Sequence, residues 1–164
     1  MTSRQIWERI NSPVGDEVFI IAEAGKNFIR TEEDQPVEVY LKNAMQLADE
    51  AKAAGVDAIK FQTHIVEDEI LDIHVDSPHF PNWKKGRRAW IMRNEKATPI
   101  KEFWLPLKEY CEKIGIGFFS TPMSRASAYK LAEVGMPVWK IGSGDILDFA
   151  TMDFMRNTDL PIIM

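Results

Sequence analysis

Apolar positions along this chain switch between two rhythms. "VFIIA", Val18 to Ala22, is a continuous apolar run of the kind that fills a strand buried on both faces, and after it Val37, Tyr40, Leu41, Ala44, Leu47, Ala48 and Ala51 recur at helical spacing. Gly55 supplies the helix stop. "DAIKFQ", Asp57 to Gln62, reads as a second strand, with further strands at Phe118 to Thr121, Val138 to Ile141 and Pro161 to Met164. Ahead of the third strand, Thr98-Pro99 opens a helix with the apolar stripe Phe103, Leu107, Tyr110, Cys111 and Ile114. Pro106 is set to kink or restart that helix, and Gly115 to end it. Ser124 is placed to cap another helix carrying Ala128, Leu131 and Val134 before Gly135, and Phe149 to Arg156 reads as a short helix. The stretch from His64 to Thr98 has no clean period and is too long for an ordinary connector.

Strands separated by helices imply parallel, right-handed βα units. A doubly wound nucleotide-binding sheet places a glycine-rich turn after its first strand, whereas here "EAGKNF" offers only Gly25. A barrel instead gathers polar residues at the C-terminal ends of several strands. This chain does so at Glu23, at Lys60 with Gln62, at Ser120 with Thr121, and at Lys140 with Ser143. A complete barrel takes roughly 250 residues. Residues 1–164 are therefore expected to form the N-terminal part, about five βα units, of a TIM (β/α)8 barrel whose remaining strands they do not include.

Parity refines the expectation. Side chains two apart share a strand face, so Lys60 points with Gln62 and His64, and Glu23 with Ile21. If that face is the barrel interior, Glu23, Lys60 and Lys140 converge at its mouth. Two lysines and one carboxylate are expensive to bury without partners, and a doubly anionic ligand such as a small phosphorylated carboxylic acid removes that penalty. Blander readings stand beside this one. Each lysine can snorkel to the surface or pair with a carboxylate, Ser143 between two glycines can serve only as a turn or a cap, and capping is as good a role for Asp145 as catalysis. "WKKGRRAW", Trp83 to Trp90, reads as a solvated loop or subunit contact before an anion patch, and Cys111 as a core residue.

Composition removes several function classes. With 45% hydrophobic and 27% charged residues the chain is globular, and a net charge of -5 argues against binding the nucleic-acid backbone. A single cysteine excludes an internal disulfide framework. No signal-like apolar core and no run near the roughly 20 residues of a membrane span occur, which points to a reducing, cytoplasmic setting. His64, His74 and His79 show no metal-ligand pairing, so no metal ligand is assigned within the chain.

Four ordered segments, "FIIAEAGKN", "GVDAIKFQTHIVEDE", "GFFSTPMSRASA" and "MPVWKIGSGDI", resemble the N-terminal barrel of the sialic acid (N-acetylneuraminate) synthase family. The likeness runs from about Val18 to Met164 and weakens over Phe28 to Pro36 and His74 to Thr98. It implies condensation of phosphoenolpyruvate with an N-acylated amino sugar of the N-acetylmannosamine type. By the same resemblance, Lys60, Lys140 and Ser143 hold the phosphate and carboxylate of phosphoenolpyruvate, Gln62 contacts ligand near the reacting centre, and Glu23 is the active-site carboxylate near the sugar aldehyde. Asp145 stands where members often carry Glu, and Phe28 where many have His. A divalent manganese or magnesium ion is implied, held by later strands, as are a homodimer and a C-terminal antifreeze-like domain beyond residues 1–164. On that basis this stretch alone is expected to be inactive. Another phosphoenolpyruvate-dependent deoxy-sugar-acid synthase, with Arg125 as the candidate for a second phosphate, and a noncatalytic barrel fragment that needs a partner chain are the competing readings.

Overall fold

Two parallel ladders carry the fold in the computed structural model, which describes residues 1–11, 18–72 and 86–164. Strands β1 (Ile21–Gly25), β2 (Ala58–Thr63) and β3 (Gly117–Pro122) form one sheet in that order, and β4 (Trp139–Lys140) pairs with β5 (Ile162–Ile163). All pairings are parallel, and β4 packs beside β3. The chain is an α/β protein with parallel strands.

Helices α1 (Ser3–Asn11), α2 (Val37–Ala53), α3 (Val66–Glu69), α4 (Gly86–Ala97), α5 (Leu105–Ile114), α6 (Arg125–Val134) and α7 (Phe149–Arg156) fill the connections. The local chemistry of two of them matches the sequence reading closely. Residues Ile100–Trp104 form one π-helical turn, and α5 starts afresh with Pro106 in its first turn, where a missing N–H leaves no bond unmade. Ser124 caps α6 through a reciprocal capping box with Ser127, and Gly135 ends it in the left-handed conformation at φ 79°.

Three expectations are corrected. β1 begins at Ile21, not Val18, and Val18 and Ile20 are 71% and 52% exposed. The apolar run is not the strand because the ladder is set by pairing, Ile21 against Ala58, and by Asp57, whose carboxylate accepts from the Ile20 N–H at 2.8 Å. α1 and α4 were not foreseen. α4 buries Arg93 and Asn94 beside Ile91 and Ala97, so no apolar period marks it, and it turns the second half of "WKKGRRAW" from a loop into a helix start. Trp83, Lys84 and Lys85, together with His74 and His79, lie outside the described residues.

The core lies between the three-stranded sheet and the helices outside it. Phe61 and Phe118 stand 5.9 Å apart on adjacent strands and meet Trp104 edge-on or tilted, while Phe28 stacks 4.9 Å from Phe103. All but Phe118, at 4%, have no solvent exposure. Between β1 and β2 the register slips once, between Glu23 and Gly25, where a bulge occurs and Gly25 takes φ 54°.

Candidate functional site

Parity places Lys60 on the sheet face away from the aromatic core, in register with Glu23 of β1 and Phe119 of β3. Lys60 as a residue is only 8% exposed; its ammonium touches the Glu23 carboxylate and lies 3.4 Å from Thr121 Oγ1. Burial first, and the nearby Lys140 ammonium second, pull Lys60 down from 10.5 to about 8. The Glu23 carboxylate it touches is half-exposed. Lys140, at the end of β4, donates to the carbonyl of Ile141. Glu23, Lys60 and Lys140, the three groups expected to converge, are thus near neighbours.

Gln62, two residues beyond Lys60, lines a cleft of about 510 Å3 with Glu23, Lys26 and Trp90. That volume lies within the roughly 300–1,000 Å3 of small-molecule sites. Lys26 was not singled out from sequence, and Trp90 entered there only as the end of "WKKGRRAW". The Lys26 ammonium sits 3.2 Å from the centre of the Trp90 ring, and burial pulls it to about 8, against the pull of Glu69 and with the push of Arg87. The available signal was the position of Lys26 directly after the strand-ending Gly25.

His64 follows directly after the end of β2, beside Trp90 of the cleft wall. It is buried with Nδ1 2.6 Å from Glu69 Oε2, its ring edge-on to Trp90 at 5.8 Å, and its Nε2 has no hydrogen-bond partner. Ser143 is exposed in the loop after β4. Asp145 does not cap the following helix: Asp148 does, accepting from the Thr151 N–H at 3.1 Å. The Asp145 carboxylate instead tucks under Gly142, with Oδ2 buried and unpartnered. A Cβ on Gly142 would come within 2.2 Å of that oxygen. Burial, then the charges of Asp148 and Glu69, raise the Asp145 carboxyl above its ordinary value. Phe28 belongs to the aromatic core, so its side chain makes no contribution to the cleft. Arg125 is exposed at the start of α6.

Among the described residues no three His, Cys, Asp or Glu side chains converge as a metal site, and no helix is long and apolar enough to cross a membrane. A divalent ion therefore finds no fitting ligand set in these residues.

Comparison with known proteins places this geometry. The model of the NeuB family matches residues 47–164. The N-acetylneuraminate-9-phosphate synthase of Drosophila melanogaster is 26% identical over 155 residues, covering 94% of this chain and 39% of that protein. The N,N'-diacetyllegionaminic acid synthase of Legionella pneumophila is 30% identical, covering 89% of this chain and 38% of that protein. A crystal structure of the N-acetylneuraminic acid (sialic acid) synthetase from Leptospira borgpetersenii, in complex with citrate, superposes with a TM-score of 0.63 at 30% identity, over 88% of this chain and 43% of that one. The chain spans about two-fifths of the length of these relatives.

Proposed function

The chain belongs to the NeuB family, and on that premise we propose that it is the phosphoenolpyruvate-holding, N-terminal part of a (β/α)8 barrel synthase that makes a sialic-acid-like nonulosonic acid. The remaining strands, the antifreeze-like domain and the homodimer of the full enzyme belong to this reading, as does a cytoplasmic setting. The observation that carries it is the Lys60–Lys140 pair. Two ammonium groups lie close enough to repel at the ends of parallel strands, one of them buried, depressed to about 8 and in contact with a half-exposed carboxylate, the other donating only to a backbone carbonyl. An excess of buried positive charge at that place suits a small dianion or trianion.

In this reading Lys60 and Lys140 grip the phosphate and carboxylate of phosphoenolpyruvate, with the exposed Ser143 hydroxyl closing from the β4 loop and Thr121 Oγ1 steadying the Lys60 ammonium. Gln62, on the wall of the cleft, contacts ligand near the reacting carbon. The enol carbon forms a bond to the aldehyde carbon of an N-acylated amino sugar, of the N-acetylmannosamine type. Positive charge then develops on the carbon bearing phosphate, water adds there, and phosphate leaves by carbon–oxygen cleavage. Glu23, half open to the cleft, takes the proton released by that water or handles that of a sugar hydroxyl. The lysines contribute by fixing the anion before the bond forms. Asp145 is assigned to the same mouth through the β4 loop. A manganese or magnesium ion has no ligand set among the described residues, and its ligands in this reading lie on strands after β5. Because three carbons are joined to six, acceptor C6 becomes product C9.

Titration of phosphoenolpyruvate into the chain by calorimetry tests the assignment. Lys60→Ala and Lys140→Ala are each expected to weaken binding by about tenfold to a hundredfold, the worth of one charge-assisted hydrogen bond. Absence of binding to the unaltered chain, or binding by either variant as tight as that of the unaltered chain, overturns it.

A further inference from the structure

Two buried polar atoms beyond the strand ends, His64 Nε2 and Asp145 Oδ2, have no hydrogen-bond partner among the described residues. His64 is 2% exposed, and its Nδ1 is fixed 2.6 Å from Oε2 of the buried Glu69. With the Nδ1 proton given to that carboxylate, Nε2 of a neutral imidazole is left as a bare acceptor. Burial, then the charges of Asp148 and Glu69, hold the Asp145 carboxyl above its ordinary value, against the pull of His64 and Lys140. A carboxyl pushed toward its neutral form carries one O–H donor. Asp145 therefore lies within the electrostatic reach of His64, and the two orphaned atoms are complementary. The other charged groups around the pair are Arg87, 4.0 Å from Glu69 Oε1, and Lys26, which feels Glu69 from across Trp90.

An imidazole kept only to anchor Glu69 needs one ring nitrogen, and burying the second without a partner is a cost that such a role does not repay. The loop that carries Asp145 is built to move: Gly142, Ser143 and Gly144 separate it from β4, Ser143 and Gly144 are exposed, and a Cβ on Gly142 would sit 2.2 Å from Asp145 Oδ2. We propose that His64 is a positioning residue for Asp145: when the mouth is occupied, the β4 loop brings Asp145 Oδ2 onto His64 Nε2 and completes a Glu69–His64–Asp145 chain. The chain keeps the carboxyl proton on the inner oxygen, donated to the imidazole, so that the other oxygen accepts a hydroxyl hydrogen bond from the ligand. The inference rests on the synthase reading and adds to it a buried pair, His64 and Glu69, that the reaction steps above leave idle.

The test titrates N-acetylmannosamine, with phosphoenolpyruvate present, into the unaltered chain and four variants. His64→Asn keeps an N–H donor for Glu69 and removes Nε2, so a purely structural histidine would survive it. It is expected to weaken sugar binding about tenfold, as is Asp145→Ala, and the two together by no more than either alone. Asp145→Asn, which still offers an N–H to Nε2 and an oxygen to the ligand, should stay within about threefold of the unaltered chain. Losses that multiply in the double variant overturn the proposal, as do unchanged binding in His64→Asn, an Asp145→Asn as weak as Asp145→Ala, or no sugar binding by the unaltered chain. If His64→Asn does not fold, the 15N resonance of His64 Nε2 decides: on adding both ligands it should move to its hydrogen-bonded position in the unaltered chain and in Asp145→Asn but not in Asp145→Ala. The same resonance in all three overturns the chain. Phosphoenolpyruvate titrated alone separates the two levels. Retained binding with no coupling between His64 and Asp145 removes only the positioning role, whereas lost binding to the unaltered chain removes the synthase reading and this role with it.

Discussion

The two faces of β2 are made from alternating residues of one six-residue strand and live in different chemistry. Toward the helices, Ile59 and Phe61 enter the aromatic core, and Thr63 exchanges a buried 2.7 Å hydroxyl contact with Ser120. Toward the other side, Lys60 meets a half-exposed acid, and Gln62 opens onto the cleft. The first face holds the sheet together. The second holds charge in a place where water is scarce, and it can do so because the first supplies the apolar burial that keeps the strand in register. The packed side and the candidate site are thus separated by a single residue step.

Truncation on the core side should break the contrast most severely. Phe61→Ala removes the ring that joins Phe28, Trp104 and Phe118, and a loss of about 3–5 kcal/mol is expected in urea unfolding. A loss below about 1 kcal/mol would show that the aromatic cluster is not what fixes the strand.

A smaller effect should appear when the charged face is titrated. Lys60, at about 8, is charged at pH 7 and neutral well above 8. Phosphoenolpyruvate affinity should therefore be flat below that value and fall by up to about tenfold per pH unit above it. Lys26 titrates in the same range, so the measurement is best made in Lys26→Gln. Substituting Lys60→Arg should carry the inflection out of reach. An unchanged inflection in that variant would assign the titration to another group.

The smallest expected change is in stability when the charge itself is removed. Lys60→Met leaves Glu23 half in water and replaces a buried ammonium by an apolar chain of similar length, so the fold should change by less than about 1 kcal/mol, toward greater stability. Destabilisation of about 2 kcal/mol or more would mean that the Glu23–Lys60 contact supports the fold as well as the site.

Much of this arrangement could be read from the chain, and the exceptions have physical causes. The Pro106 restart, the Ser124 cap and the glycine stops were legible because each acts through its own backbone and its nearest neighbours. The facing of Lys60, Gln62 and Glu23 was legible from the two-residue period of strands. The start of β1 was not, since partner strands and Asp57, not local hydrophobicity, choose which residues pair. α4 escaped because its buried side includes the polar Arg93 and Asn94, and Arg93 is satisfied by groups far away in sequence, Asp34 and Glu33. The contacts of His64 were not legible, because the strand ends at Thr63 and its partner Glu69 belongs to the next helical turn. Lys26 was invisible for the same reason: its significance is created by Trp90, distant in sequence and adjacent in space.

The bulge between Glu23 and Gly25 acts as a phase shifter. In an unbroken ladder Lys26 would fall opposite Thr63, on the core side, because three steps from Glu23 is an odd number. The extra residue makes Gly25 pair with Phe61, which brings the following Lys26 level with Gln62 and into the same cleft as Glu23. One inserted position therefore turns residues of opposite parity into neighbours across a substrate-sized gap. The cleft wall is thereby widened by one residue while the pairing of β1 with β2 continues on either side.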